Sequence, residues 1–263
     1  MLGDILVVIR GGGDQASGVI HRLFRCGMKV VVLEQARPTV IRRAVAFASA
    51  VYDGEIVVEG VKAVKVTDIS EAREVLRAGD SVPVLVDPEG KAISQLKPQV
   101  VVDATMRKKN LGTRITDAPL VIGLGPGFTA GVDVHKVIET NWGHDLGRVI
   151  EEGSAEPDTG IPDVFNECVL RAPCDGVFTT DKKIGMRVKE GEIVGYVSNT
   201  KVTAEIYGVI RGLLKGGLSV KKGAKLGDID PRGEERYAFT ISEKARAIGG
   251  GVLEAILVSM KKP

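Results

Sequence analysis

The feature that most restricts the fold is the run Gly11-Gly12-Gly13-Asp14-Gln15-Ala16, which lies between an apolar and an amphipathic segment. Residues 5–9 are all isoleucine, leucine or valine, a composition typical of a parallel strand buried on both faces. After the glycines, apolar residues recur at helical spacing as far as Phe24. A glycine turn between a strand and a helix is typical of a Rossmann-like nucleotide-binding domain.

The glycine run predicts a phosphate-binding loop. Gly11 permits a tight turn, Gly13 lets the backbone approach a pyrophosphate, and Ala16 lets the helix pack closely on the strand. The helix N-terminus adds N–H groups and partial positive charge. Asp14 either caps this helix or weakens the phosphate contact by charge repulsion. A glycine turn that holds no ligand is the alternative interpretation.

Glu34 is the candidate for binding a ribose, because it ends the second apolar segment, residues 29–33, about 20 positions after the glycines. Its carboxylate disfavours a 2′-phosphate. Arg37 follows closely, with Arg42 and Arg43 beyond it, and these cations either compensate that charge or form a solvated basic face. The sequence therefore leaves NAD and NADP unresolved.

The remainder of the N-terminal half continues this alternation, which predicts a parallel sheet in a domain over residues 1–150. The further strand candidates are residues 61–66, 82–86, 100–104 and 120–122, and the helix candidates are residues 39–50 and 70–78.

Two later segments carry candidate anion-binding groups. Lys108 and Lys109 follow the strand candidate that ends near Asp103, and ligands bind at the carboxyl ends of strands in open α/β sheets. Gly125 and Gly127 follow another strand candidate, so their backbone is able to form a second anion nest.

Asp133, His135 and His144 are the catalytic candidates, because imidazole titrates near neutral pH and takes part in acid–base chemistry. Their spacing matches no standard metal-binding motif, so no metal site is predicted. These residues do not by themselves establish that the protein is an enzyme.

The C-terminal part has a different organisation. Residues 151–162 are rich in glycine, proline and acidic residues, which is typical of a connection. A repeat with a period of 32 residues relates 172–195 to 204–227. We expect a barrel-sandwich hybrid domain over 151–240, since this stretch resembles biotinyl and lipoyl carrier domains. Lys201 lies too close to Gly208 for the modified lysine of a carrier.

Residues 241–263 predict a C-terminal helix that packs on the rest, with Ser242 as its N-cap. Gly249-Gly250-Gly251 predicts a break or a close approach to the first domain. The expected fold class is thus α/β: a Rossmann-like parallel sheet, a small all-β barrel-sandwich hybrid domain and a C-terminal helix.

Composition restricts the partners. The chain has 36 Lys and Arg against 34 Asp and Glu, so no strong field favours nucleic acid or a membrane surface. Three cysteines without a CxxC pair favour a reducing, cytoplasmic location.

Motifs in one order along nearly the whole chain resemble the selenium-dependent molybdenum hydroxylase system (maturation) protein family. They are Arg10-Gly-Gly-Gly-Asp-Gln-Ala-Ser-Gly18, Arg37-Pro-Thr-Val-Ile-Arg-Arg43, Lys108-Lys-Asn-Leu-Gly-Thr113, residues 123–135, Ile138-Glu-Thr-Asn-Trp-Gly-His144 and Gly227-Asp-Ile-Asp-Pro-Arg232. The resemblance implies an accessory role in maturing molybdenum hydroxylases. It implies as partners a hydroxylase apoprotein or other maturation factors, and leaves a homo-oligomer open.

The resemblance leaves the ligand open among NAD(P), another nucleotide and a molybdopterin dinucleotide. Two other functions are retained. One is an NAD(P)-dependent oxidoreductase with His135 or His144 as proton donor. The other is a non-catalytic docking scaffold. The sequence offers no convincing acid–base dyad for hydride transfer, which favours the maturation factor.

Overall fold

The computed structural model describes residues 2–157 and 168–260, which form two units. Among the described residues, the first unit contains 2–38, 46–157 and 241–260, and the second contains 39–45 and 168–240. The C-terminal helix, predicted as a separate segment over 241–263, therefore belongs to the first unit as far as it is described.

The described residues of the first unit form nine strands: β1 Leu6–Arg10, β2 Lys29–Glu34, β3 Glu55–Val58, β4 Val61–Val66, β5 Ser81–Val86, β6 Val100–Asp103, β7 Leu120–Leu124, β8 Lys136–Ile138 and β9 Val149–Ile150. Its helices are α1 Asp14–Arg25, α2 Ala50–Asp53, α3 Ile69–Ala78, α4 Ala92–Leu96 and α5 Glu243–Ser259. In the second unit the part of the chain that is described forms eight strands: β10 Val169–Arg171, β11 Gly176–Thr179, β12 Arg187–Val188, β13 Ile193–Val197, β14 Thr200–Thr203, β15 Gly208–Leu213, β16 Ser219–Val220 and β17 Lys225–Asp230.

The large sheet is mixed, with the order β3-β4-β5-β2-β1-β6-β7-β8-β9. Neighbours from β4 through β8 pair in parallel, whereas β3 and β9 pair antiparallel at the two edges. Apolar residues such as Val8, Val31 and Val101 form its core. The parallel pairing brings the carboxyl ends of β1, β2, β6, β7 and β8 to one edge, hereafter the carboxyl edge.

The predicted fold class, a Rossmann-like parallel sheet followed by a biotinyl- or lipoyl-like domain, is wrong. Glu59 and Gly60 both have positive φ, +45° and +82°, which is the geometry of a two-residue hairpin turn. This turn reverses the chain and makes β3 antiparallel. The second unit consists of two antiparallel sheets and also takes in residues 39–45, where Leu213 donates its N–H to the Ile41 carbonyl at 2.8 Å.

The helix predicted over 39–50 is also wrong. Residues 43–45 and 47–49 form single 3-10 turns, and α2 begins only at Ala50. Val40, Ile41 and Val45, which precede Ala46 in this segment, are β-branched, and the apolar spacing reflects burial of an irregular segment rather than a helix face.

In the second unit the sheet orders are β10-β17-β15-β12 and β14-β13-β11-β16. A shift of 32 residues carries β10, β11, β12 and β13 onto β14, β15, β16 and β17. When each strand is replaced by its equivalent in the other repeat, the strand order of one sheet becomes the strand order of the other. Each repeat thus contributes two strands to each of the two equivalent sheets. The sheets share a core that includes Phe178 and Leu213.

Helix α5 packs against α1 through glycine. Its N-cap is Ser242, whose hydroxyl accepts a hydrogen bond from the Ala245 N–H at 3.2 Å, as predicted. The helix runs through Gly249 without a break, and a Cβ there would lie 2.6 Å from the Gly18 carbonyl oxygen of α1. The glycines therefore permit a close approach of the two helices.

Candidate functional site

The glycine loop after β1 is tied into the protein through its own backbone. Gly11 has a φ of +89° and donates its N–H to the Leu33 carbonyl at 2.8 Å. The Gly12 N–H donates to Glu34 Oε2 at 2.7 Å, and the Gly12 carbonyl accepts from the Ala48 N–H at 2.8 Å. Both hydrogen-bonding groups of Gly12 are thus used within the fold.

Glu34 is buried, and its other carboxylate oxygen accepts the Gln35 N–H at 2.7 Å. The segment 46–49 covers the glycine loop: Phe47 donates its N–H to Ser17 Oγ at 3.0 Å, and a Cβ at Gly12 would lie 2.9 Å from Ala48 N. The carboxylate expected to bind a ribose therefore holds the loop itself.

The other residues predicted around this loop have varied positions. Gly13 is the N-cap of α1, so Asp14 is the first helical residue and not the cap. Ala16 is fully buried, as its predicted packing role requires. Arg37 is exposed, whereas Arg42 is buried in the second unit and donates to the carbonyls of Tyr237 and Thr240.

A buried polar cluster lies at the carboxyl edge, where Arg10 of β1 pairs in register with Asp103 of β6. The Arg10 guanidinium lies 3.6 Å from Asp103 Oδ2 and donates a hydrogen bond to the Thr113 hydroxyl. That hydroxyl donates in turn to Asp103 Oδ2, and Asp103 Oδ1 accepts from the Thr105 N–H at 3.1 Å. The cluster fixes both ends of the segment 105–113, hereafter the basic loop.

The basic loop presents cations to solvent. Arg107, Lys108 and Lys109 are exposed, and no acidic residue occurs from position 104 to 116. Met106 has a φ of +54°, a backbone conformation that non-glycine residues rarely adopt. Asn110 shapes the far half of the loop, since its Oδ1 accepts the N–H groups of Gly112 at 3.0 Å and Thr113 at 2.9 Å.

The loop after β7, residues 125–131, packs on the basic loop. Gly127 has a φ of +103°, and a Cβ there would lie 3.0 Å from Lys108 C and Lys109 N. Gly125 has a φ of +76°, and its Cβ would meet the Thr140 side chain. Both positions thus require glycine for close packing as well as for backbone conformation.

The loop after β8, residues 139–147, reaches the same edge and is built around buried Glu139. The Glu139 carboxylate accepts N–H groups from Thr140 and Asn141 through Oε1, both at 2.7 Å, and from Glu156 through Oε2 at 2.8 Å. Trp142 and His144 are exposed on this loop.

His135 lies at the opposite edge of the sheet. Its ring Nδ1 accepts a hydrogen bond at 2.9 Å from the backbone N–H of Val121, near the start of β7. The backbone N–H of His135 donates to the Val121 carbonyl. Burial, followed by the charge of Lys136, lowers the pKa of His135 below its ordinary value of 6.5. Asp133 is engaged locally, because its carboxylate accepts the Thr129 N–H at 2.9 Å.

The carboxyl edge therefore brings Lys108 and Lys109 against Gly127, and Gly125 against the loop that carries His144. It does not include His135. Sequence reasoning missed Arg10, Thr113 and Trp142 as parts of the site. Arg10 and Thr113 each stand at an end of a recognised motif, and that position was the available signal.

Among residues 2–157 and 168–260, no group of three or more His, Cys, Asp or Glu is placed to hold a metal ion. Within the same described residues, no helix has the length and apolar character needed to cross a membrane. Among the described residues, Cys26, Cys168 and Cys174 form no disulfide bond.

No family model matches the chain. Over 262 residues it is 51% identical to a protein of Escherichia coli (strain K12) described as "Uncharacterized protein YqeB", a match that covers 98% of this chain and 48% of that protein. The chain thus spans about half the length of the curated relative it matches.

Two solved structures illustrate the similarity found in three dimensions. A succinylglutamate desuccinylase/aspartoacylase from Rhodobacter sphaeroides is 11% identical, covers 86% of this chain and 85% of its own, and has a TM-score of 0.27. An aspartoacylase family protein from Mesorhizobium loti is 10% identical, covers 85% of this chain and 84% of its own, and has a TM-score of 0.29. At these scores the likeness supports no conclusion about function.

Proposed function

We propose that the chain binds a phosphate-bearing cofactor at the carboxyl edge and acts as an accessory protein in the maturation of selenium-dependent molybdenum hydroxylases. The ordered set of motifs supports the maturation role. The observation that carries the binding proposal is the packing of Gly127 on the backbone of Lys108 and Lys109, which joins a glycine-rich loop to exposed cations.

The chemistry of this edge suits phosphate. Lysine acts as a point charge toward phosphate oxygens and arginine as a planar donor. No acidic residue occurs from position 104 to 116, and Arg107, Lys108 and Lys109 give this stretch a net positive charge. The buried Arg10–Asp103–Thr113 cluster holds the ends of the loop, so less ordering is required when a ligand binds.

The glycine loop after β1 is a weaker candidate for the same ligand. Gly12 N–H is already bonded to Glu34, and segment 46–49 packs over it. The geometry also disfavours His135 as the proton donor of an NAD(P)-dependent oxidoreductase. His135 lies at the far edge of the sheet, where Val121 N–H occupies its Nδ1.

Calorimetric titration with pyrophosphate tests the binding site. We expect saturable binding to the wild-type protein and a loss of about tenfold or more in affinity for the double variant Lys108→Ala/Lys109→Ala, because charge-assisted hydrogen bonds are lost. Lys221→Ala/Lys222→Ala, an adjacent exposed pair in the second unit, removes the same charge and serves as the control. Equal affinities for both double variants would contradict the site.

A cellular experiment tests the maturation role. In cells that make a selenium-dependent molybdenum hydroxylase, we expect deletion of the gene for this chain to leave hydroxylase polypeptide present but inactive. The wild-type gene should restore activity, and the Lys108→Ala/Lys109→Ala gene should restore less. Full hydroxylase activity in the deletion strain would contradict this role, and reduction of NAD or NADP by the purified protein would favour the oxidoreductase.

A further inference from the structure

We infer that Trp142 is the stacking platform for the ring of a heteroaromatic phosphate whose phosphate groups bind the basic loop. The inference rests on the proposed function and narrows its ligand class: a planar heterocycle carrying a diphosphate, as in a nucleoside diphosphate, rather than an inorganic or sugar phosphate. Trp142 therefore contributes to recognition of the ring, and Lys108 and Lys109 to recognition of the charge.

Backbone packing links the cations to the tryptophan loop. Gly127 lies against Lys108 and Lys109, and Gly125, two residues earlier, lies against Thr140. Thr140 is two residues before Trp142. The loops after the adjacent strands β6, β7 and β8 thus form one continuous surface at the carboxyl edge, with cations on the first loop and an aromatic ring on the third.

The loop that carries Trp142 is held in place independently of the tryptophan side chain. Glu139 accepts three backbone N–H groups from Thr140, Asn141 and Glu156, and the Asn141 side-chain amide donates to the Glu156 carboxylate. Further along, the Leu146 N–H donates to the Gly143 carbonyl at 3.3 Å. These contacts fix the backbone on both sides of Trp142.

Trp142 nevertheless remains 49% exposed. Tryptophan carries a large apolar surface, and its burial is a major source of stability in other settings. Leaving half of this surface in water on a fixed loop contributes little to folding, whereas a base stacked on the ring would cover it. Met106 and Leu111 on the basic loop are also exposed, at 39% and 59%, and extend the apolar surface beside the cations.

The chain contains one tryptophan, so its intrinsic fluorescence reports directly on this position. We expect ADP to quench the fluorescence saturably and pyrophosphate to bind without comparable quenching. We also expect ADP to bind about tenfold more tightly than pyrophosphate, since stacking on one aromatic ring contributes affinity of this order.

Calorimetry on Trp142→Ala separates the ring from the charge. We expect this variant to bind ADP no more tightly than pyrophosphate and to keep wild-type affinity for pyrophosphate, while Trp142→Phe retains most of the ADP preference. Tyr207→Ala removes an exposed aromatic residue of the second unit and should leave both affinities unchanged. If Trp142→Ala does not fold, Trp142→Phe and protection of wild-type Trp142 from acrylamide by ADP provide the comparison.

The outcomes distinguish the two proposals. Pyrophosphate binding with no additional affinity for ADP, and no quenching, would overturn the stacking role while leaving the phosphate site intact. Failure of both pyrophosphate and ADP to bind the wild-type protein would overturn the phosphate site on which the stacking role rests.

Discussion

Glu34 Oε2 lies 2.7 Å from the amide nitrogen of Gly12 and accepts its hydrogen bond. The contact joins the end of β2 to the middle of the glycine loop that follows β1. In the expected nucleotide site this carboxylate would bind a ribose and this loop a pyrophosphate. The hydrogen bond between them gives this carboxylate a structural role within the first unit.

Glu34→Gln tests this structural role. A glutamine offers one carbonyl oxygen where the carboxylate offers two, so either Gly12 or Gln35 loses its acceptor. We expect the free energy of unfolding to fall by about 1–3 kcal/mol, measured by urea denaturation, with pyrophosphate affinity unchanged. Glu74→Gln, at an exposed helix position, should have little effect. Unchanged stability together with lost nucleotide binding would restore the ribose role.

The position of Glu34 at the end of β2 was predictable from the sequence, but the groups that its carboxylate binds were not. The predicted bounds of β1, α1 and β2 lie close to the observed ones, because buried apolar strands and an amphipathic helix leave clear patterns of apolar residues in the sequence. The apolar spacing around segment 46–49 predicts a helix instead, because Phe47, Ala48 and Ser49 are buried in a 3-10 turn rather than on a helix face. It is this segment that covers Gly12, and its position depends on tertiary contacts such as Phe47 N–H to Ser17 Oγ.

The error in fold class has similarly local causes. Glu59 takes a positive φ, which is uncommon for a residue other than glycine, asparagine or aspartate, so the sequence did not indicate the hairpin between β3 and β4. At the carboxyl edge, Lys108 and Gly127 were predicted separately from motifs. Their contact could not be predicted, because it depends on the adjacency of β6 and β7 in the sheet.

Thr113 connects the buried pair Arg10 and Asp103, and we expect its hydroxyl to be essential to that pair. Thr113→Val removes the donor to Asp103 and the acceptor for Arg10, and should lower the free energy of unfolding by about 1–3 kcal/mol. Thr113→Ser keeps the hydroxyl and should lose less. Urea denaturation of both variants measures the difference, and equal losses would contradict the expectation by showing that the methyl group contributes as much as the hydroxyl.

His135 should make the protein less stable in acid. Its pKa is lowered in the folded protein, so between that lower value and 6.5 the unfolded chain binds more protons than the native state. Stability therefore rises with pH in this window and falls as pH decreases through it.

His135→Asn keeps an acceptor for the Val121 N–H but does not titrate. We expect the variant to lose less stability than the wild type when the urea midpoint is compared at pH 7.5 and pH 5.5. His144→Asn, at an exposed position, should behave as the wild type does. A steeper acid dependence in His135→Asn would contradict the lowered pKa.

Gly249 and Gly250 of α5 should respond in opposite directions to alanine. A Cβ at Gly249 would lie 2.6 Å from the Gly18 carbonyl oxygen and 3.0 Å from its carbon, both backbone atoms of α1, so the helices must separate. We expect Gly249→Ala to lower the free energy of unfolding by about 1–3 kcal/mol, the usual cost of overpacking.

A Cβ at Gly250 would have as its nearest atom the end of the Arg22 side chain, 3.6 Å away, and alanine is the better helix former by about 1 kcal/mol. Gly250→Ala should therefore raise the melting temperature while Gly249→Ala lowers it. Because the two positions are adjacent in one helix, an equal change in both variants would mean that helix propensity alone, and not contact with Gly18, determines the effect.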